Sequence, residues 1–138
     1  MKSFNLPIRV EAIIYYKDEN EAKYFLAIKR SQKDGGFWQP VTGTLEAMDD
    51  VEDCIIREIN EETGIAREDI ISISDCIYHF VWNKKFIGEV NEYVFAVEVK
   101  GITQIKLSTE HVDYRWGTRD EIKNIYEMPE NKIAIDKI

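Results

Sequence analysis

The sequence predicts an α/β fold, with one helix set between two pairs of β-strands that join in a mixed sheet. Three observations lead there. β-Branched and aromatic residues gather in four runs, grouped two and two. Between the groups lies a segment with acidic residues at its head, strong helix formers in its middle and a glycine at its end. The 138 residues, 44% of them hydrophobic, suffice for one core, so residues 1–138 are expected to form a single domain.

The first strand pair is IRVEAIIYY at 8–16 and YFLAIKR at 24–30, with the polar stretch KDENEAK as an exposed turn. A helix is expected from about Asp50 to Thr63. Asp49 or Asp50 serves as its N-cap, and Gly64 supplies the left-handed residue that ends it. The second pair is ISISDCIYHFVW at 71–82 and FIGEVNEYVFAVEV at 86–99, turning around Asn83, Lys84 and Lys85, with Gly88 expected at a bulge or bend. Thr118 and Glu121 have the spacing of a capping box, which starts a second helix that Pro129 interrupts. The last residues, ENKIAIDKI, suit a short terminal helix. No internal repeat or low-complexity segment is present.

With 26 acidic and 18 basic residues, the net charge is -8 and no basic run exists to match a row of phosphates. Long nucleic acid is therefore not an expected partner. A small phosphate ligand is compatible with this charge if cations stand between it and the carboxylates. Pro7, Arg9 and Glu11 break the apolar N-terminal stretch, and no later segment offers 18 continuous apolar residues, so neither leader nor membrane span is expected. The two cysteines, Cys54 and Cys76, lie among apolar residues without a metal-type cluster and are expected as reduced core thiols, which implies the cytoplasm.

At about 100° per residue, the helix places Glu58, Glu61 and Glu62 in one arc beside an apolar arc of Ile55, Ile56 and Ile59. Like charges at these spacings cost a helix about 0.2–0.5 kcal/mol per pair. An acidic trio alone usually marks a solvated face; a cation there would reverse the penalty, and clustered oxygens suit Mg²⁺ or Mn²⁺.

The segment from Gly43 to Ile65, GTLEAMDDVEDCIIREINEETGI, resembles the Nudix box. That pattern runs glycine, five residues, glutamate, seven residues, then Arg-Glu-aliphatic-x-Glu-Glu-x-Gly-aliphatic. Gly43, Arg57, Glu58, Ile59, Glu61, Glu62, Gly64 and Ile65 match in register, and Asp49 stands where the pattern has glutamate. The resemblance implies a Nudix fold, a mixed β-sheet in an α/β/α sandwich, with divalent-metal dependence (Mg²⁺, with Mn²⁺ also suited) and hydrolysis of a nucleoside diphosphate linked to another group. By the same resemblance Glu58, Glu61, Glu62 and Gly43 are metal ligands and Arg57 orients the carboxylates. One of these glutamates or a more distant one is the general base, with Glu58 the preferred candidate within the box only if the more distant one fails.

Outside the box, FWQPVTGTLE at 37–46 and TEHVDYRWGTRDEI at 109–122 are similar to segments of the bacterial dATP and dihydroneopterin triphosphate pyrophosphohydrolases. Glu110 matches a loop glutamate that approaches the metal site there and is a candidate for the catalytic base, with an ordinary loop glutamate as the even alternative. Phe37, Trp38 and Gln39 are candidates to stack on and hydrogen-bond a ring, with Trp38 equally suited to the core. Arg30 is a candidate for the phosphates, while Lys29, His79 and His111 have ordinary surface or core readings.

The expected function is metal-dependent cleavage of a nucleoside or pterin triphosphate to the monophosphate and pyrophosphate. Alternatives are hydrolysis of dinucleoside polyphosphates or RNA 5′ ends, and a catalytically weak nucleotide sensor. A monomer and a homodimer remain equally open.

Overall fold

The computed structural model describes residues 7–101 and 104–138, so part of the N-terminal stretch read above for a leader lies outside the described residues. Strands β1 (Ile8–Lys17) and β2 (Lys23–Arg30) form the expected hairpin, with Tyr15 opposite Phe25 and Lys17 opposite Lys23. Asp18 fixes the turn by accepting the backbone N–H groups of Asn20 and Ala22 at 2.8 and 2.9 Å.

Beyond those pairs the two strands diverge. The first half of β1 pairs with β4 (Val41–Thr44), while the second half of β2 pairs with β3 (Trp38–Gln39). β3 and β4 are one extended stretch broken by Pro40, which has no N–H to give to a ladder. The chain thus crosses from β2 to β1 where the two splay apart. The far edge of β1 pairs in parallel with β6 (Gly88–Val99), which pairs antiparallel with β5 (Ile70–Lys84), and β7 (His111–Gly117) runs antiparallel to β2. The seven strands make the mixed sheet that the sequence leads one to expect.

Side chains alternate across this sheet, and both faces are covered. Val10, Ala12, Ile14, Leu26 and Ile28 pack with Cys54, Ile55 and Ile59 of helix α1 (Val51–Thr63). Ile13, Phe25, Ala27 and Val94 pack on the opposite face with Ile122, Tyr126, Ala134 and Ile135, contributed by α2 (Arg119–Ile125), α3 (Pro129–Ile135) and the link between them. The result is an α/β/α sandwich.

Local signals set the helix ends. Asp50 caps α1 by accepting the N–H of Asp53, and Gly64 ends it at φ 76°. Thr118 and Glu121 form the capping box of α2, and Pro129 opens α3 in a first turn that does not need its missing N–H.

Strands β3, β4 and β7 did not stand out in the sequence, since the first two are very short and β7 is mostly exposed. Gly88 opens β6 at φ 99° rather than bulging it, and the register shifts lie in β5. Cys76 corrects the expectation of two core thiols. It sits between two of those shifts, which interrupt the alternation of faces, and it is exposed; only Cys54 is buried, and both are free. Among the described residues no helix is long and apolar enough to cross a membrane.

Candidate active site

Helix α1 packs its isoleucines on the sheet and thereby carries its glutamates to the fork between β1 and β2. Glu62 is buried, Glu58 half-buried and Glu61 exposed. Gly43, on β4 beneath the helix, comes so close that a Cβ there would lie 2.2 Å from the Glu58 carboxyl carbon. Only glycine leaves room for that carboxyl.

Arg57 makes a two-pronged hydrogen bond to Asp49, both distances 3.1 Å, and lies 3.9 Å from Glu58. Asp49 also accepts the N–H of Glu46 at 3.0 Å, closing the loop before the helix. The guanidinium holds the Asp49 carboxyl below its ordinary range. The shorter acid found at this position therefore still anchors Arg57, whose main partner is the loop rather than the other carboxylates.

Glu58, Glu61, Glu62 and Gly43 line a cavity of about 690 Å³, with Glu110, Arg30, Phe37 and Gln39 also in its wall. The backbone of Ser31 ties the turn carrying Glu110 to the end of β2 through a 2.9 Å bond to the Glu110 carbonyl. Arg30 lies 5.8 Å from the Phe37 ring centre, and its buried Nε has no partner. Of the two readings open for Trp38, ring stacking and core packing, its position matches the core. Successive strand residues face opposite ways, so Gln39 reaches the cavity while Trp38 packs against the α2–α3 core, with the Lys29 ammonium 5.9 Å from its ring centre.

Burial pushes the Glu62 carboxyl up to about 8, helped by the charges of Glu58 and Glu110. Burial and then Glu61 raise Glu58. His111 is buried behind them, with Nδ1 3.2 Å from the Ser108 hydroxyl and Nε2 3.6 Å from Glu62. Burial and Arg30 lower its pKa, so the contact with Glu62 is not an ion pair at neutral pH. His79 is exposed, bonded to Asn91 at 2.9 Å and stacked on Tyr93.

The cavity also contains residues that sequence reasoning passed over. Arg9 donates to the hydroxyls of Thr42 and Thr44 at 2.8 and 3.2 Å. Glu11, only 1% exposed, accepts from the Asn131 amide at 2.9 Å. Trp82 donates to Glu92 at 3.0 Å, and these residues share the cavity wall. A charged pair inside the apolar strand IRVEAIIYY was the available signal, since a buried acid needs a partner or a purpose.

Among the described residues no three histidine, cysteine or carboxylate side chains stand converged at ligating distance. The donor set nevertheless suits a divalent cation. Glu62 is buried, its Oε2 has no partner, and its charge is disfavoured first by burial and then by Glu58 and Glu110, a penalty that a cation would offset.

A family model described as NUDIX domain matches residues 7–137. An octanoyltransferase from Myxococcus xanthus is 32% identical over 116 residues, which is 80% of this chain but 30% of that protein's length. The dihydroneopterin triphosphate diphosphatase of Haemophilus influenzae is 30% identical, covering 93% of this chain and 84% of that protein. A solved structure of a C. elegans Ap4A hydrolase binary complex superimposes with a TM-score of 0.83 at 22% identity, covering 96% of this chain and 94% of that one.

Proposed function

This chain belongs to the NUDIX family, and from that premise we propose that it is a Mg²⁺- or Mn²⁺-dependent pyrophosphohydrolase. Its substrate is a nucleoside triphosphate or dihydroneopterin triphosphate, cleaved to the monophosphate and pyrophosphate. The observation that carries this reading is the fit of Gly43 against Glu58 at the mouth of a cavity shared by Glu61, Glu62 and Glu110. That glycine makes room for a carboxyl exposed to ligand, which a purely structural helix face would not require.

Glu58, Glu61, Glu62 and the Gly43 backbone would hold the cations. A divalent cation bound there supplies neutralising charge at the phosphates and a water of lowered pKa. The chain's own groups do the rest. Arg30 and Arg9 place positive charge along the cavity, and Phe37 and Gln39 border it on the β2 side. Arg57 fixes the start of α1 through Asp49 and so sets the position of Glu58. Glu110 comes from a loop and is free of the helix set, so it accepts the proton as the water oxygen bonds to phosphorus and the phosphoanhydride P–O bond breaks.

Product analysis tests this. With Mg²⁺ and dATP or dihydroneopterin triphosphate, the protein is expected to release pyrophosphate and the monophosphate, and Glu58→Gln to slow turnover at least about 100-fold with the fold intact. Glu110→Gln should lower the maximal rate and erase the acidic limb of the pH–rate profile. Orthophosphate as the main product, exclusive cleavage of dinucleoside polyphosphates or RNA 5′ ends, or nucleotide binding without turnover would each refute the reading.

A further inference from the structure

Strand β7 closes one side of the sheet. It pairs with β2, and among the described residues no strand pairs with its outer side. The register shift at its start falls at Val112, so the stretch from Asp113 to Gly117 is regular. An edge of this kind is a ready template for another strand.

The backbone shows which groups the edge offers. On β2 the Arg30 N–H turns to Phe37 on the β3 side, so the groups of Lys29 and Ala27 turn to Asp113 and Arg115 of β7. Tyr114, between those two, therefore points its N–H outward, where the Asp113 carboxylate accepts it at 2.8 Å. Trp116, two residues on, points the same way.

We propose that β7 is a homodimer interface, pairing antiparallel with β7 of a second copy about a two-fold axis at Tyr114. The sheet then runs continuously through both copies. The residues concerned are not in the cavity wall, so the interface does not depend on the proposed reaction.

The strand sequence HVDYRWG is complementary to itself in that register. With Tyr114 opposite Tyr114, Asp113 lies opposite Arg115 and Val112 opposite Trp116, each contact occurring twice by symmetry. The Tyr114 pair exchanges hydrogen bonds, and the carbonyl of the second copy takes the N–H that Asp113 now covers. Asp113 and Arg115 then meet at a position without ladder bonds, where opposed side chains come closest. Both charges are available for this. Lys29, opposite Asp113 on β2, lies over the Trp38 ring, and Arg115 reaches Glu121 at 3.4 Å in an exposed pair that costs little to exchange.

The other face of the strand is apolar. Leu26 and Ile28, opposite Trp116 and Tyr114, pack with α1, so the two aromatic rings stand on that side of the sheet. Val112 is 60% and Tyr114 41% exposed, and pairing would cover both. Trp116 meets Tyr16 edge-on at 5.0 Å, and Tyr16 stacks on Tyr24 at 5.4 Å, which backs the row with aromatic surface. By contrast β5, at the opposite end of the sheet, is broken by three register shifts, which blunt it as a template.

Sedimentation velocity of the full chain over a range of concentrations tests the interface. The wild type is expected to form a reversible dimer. Asp113→Arg and Arg115→Asp each set like charges opposite one another and should raise the dimer dissociation constant at least about tenfold. The double variant restores opposite charges at both positions and should return the constant to near the wild-type value. Both side chains are exposed, so circular dichroism should be unchanged in all three variants. A wild type that stays monomeric, a dimer that tolerates both single changes, or a double variant no tighter than the single ones would overturn the interface.

Discussion

At Glu62 the local environment works against the charge that the proposed reaction would use. Burial, with Glu58 and Glu110 nearby, pushes its carboxyl up to about 8, against an ordinary value of 4.5. Between those values the native state holds a proton that the unfolded chain has released, so the proton-linked stability is present at low pH and declines as pH rises through the window. Urea unfolding of the metal-free protein from pH 5 to pH 8 is therefore expected to show falling stability, and Glu62→Gln to flatten the fall. Glu11 is shifted in the same direction, so the slope should shrink rather than vanish. An identical slope in Glu62→Gln would show that the residue is ionised in the native protein. The Cys54 thiol, pushed up to about 11 mainly by burial, is an inert core group, in contrast with the exposed Cys76.

The decisive feature between elements is the approach of β4 to α1. Gly43→Ala would place a methyl 2.2 Å from the Glu58 carboxyl carbon, so the side chain must leave its position or the strand must move. Turnover is expected to fall at least about tenfold with little change in circular dichroism, since a misplacement on the order of 1 Å is costly to catalysis. Wild-type rates in Gly43→Ala would mean that Glu58 can work from elsewhere. At the helix start, Asp50→Ala should cost about 0.5–2 kcal/mol in denaturant unfolding, because the Asp53 N–H loses its acceptor. No loss would point instead to the neighbouring Asp49 loop as the effective cap. These caps and the isoleucine stripe were legible in the sequence because they are local, set by spacings of three and four residues. β3 and β4 were not, because strands of two and four residues are defined by the partners they meet.

Across the whole molecule, a net charge of -8 and a cavity lined by glutamates would repel the anionic substrate proposed, and bound cations would reconcile the two. Added Mg²⁺ should raise the melting temperature of the wild type, by the equivalent of about 2.7 kcal/mol at 100 times its dissociation constant. The shift should shrink sharply in Glu58→Gln, and an equal shift in both would place the ion elsewhere. By itself the sequence determined the helix with its caps, both hairpins, the acidic arc and the register of Gly43 to Ile65, since each depends on neighbours within a few residues or on one contiguous motif. Only the tertiary structure decided that Trp38 belongs to the core, that Cys76 lies outside it, and that Arg9, Glu11, Trp82, Glu92 and Asn131 join the candidate site. Those residues come from β1, β5, β6 and α3, and Glu11 and Asn131 meet across a separation of 120 residues. Strand pairing and helix docking bring such residues together, and no local periodicity records which distant side chains will share a wall.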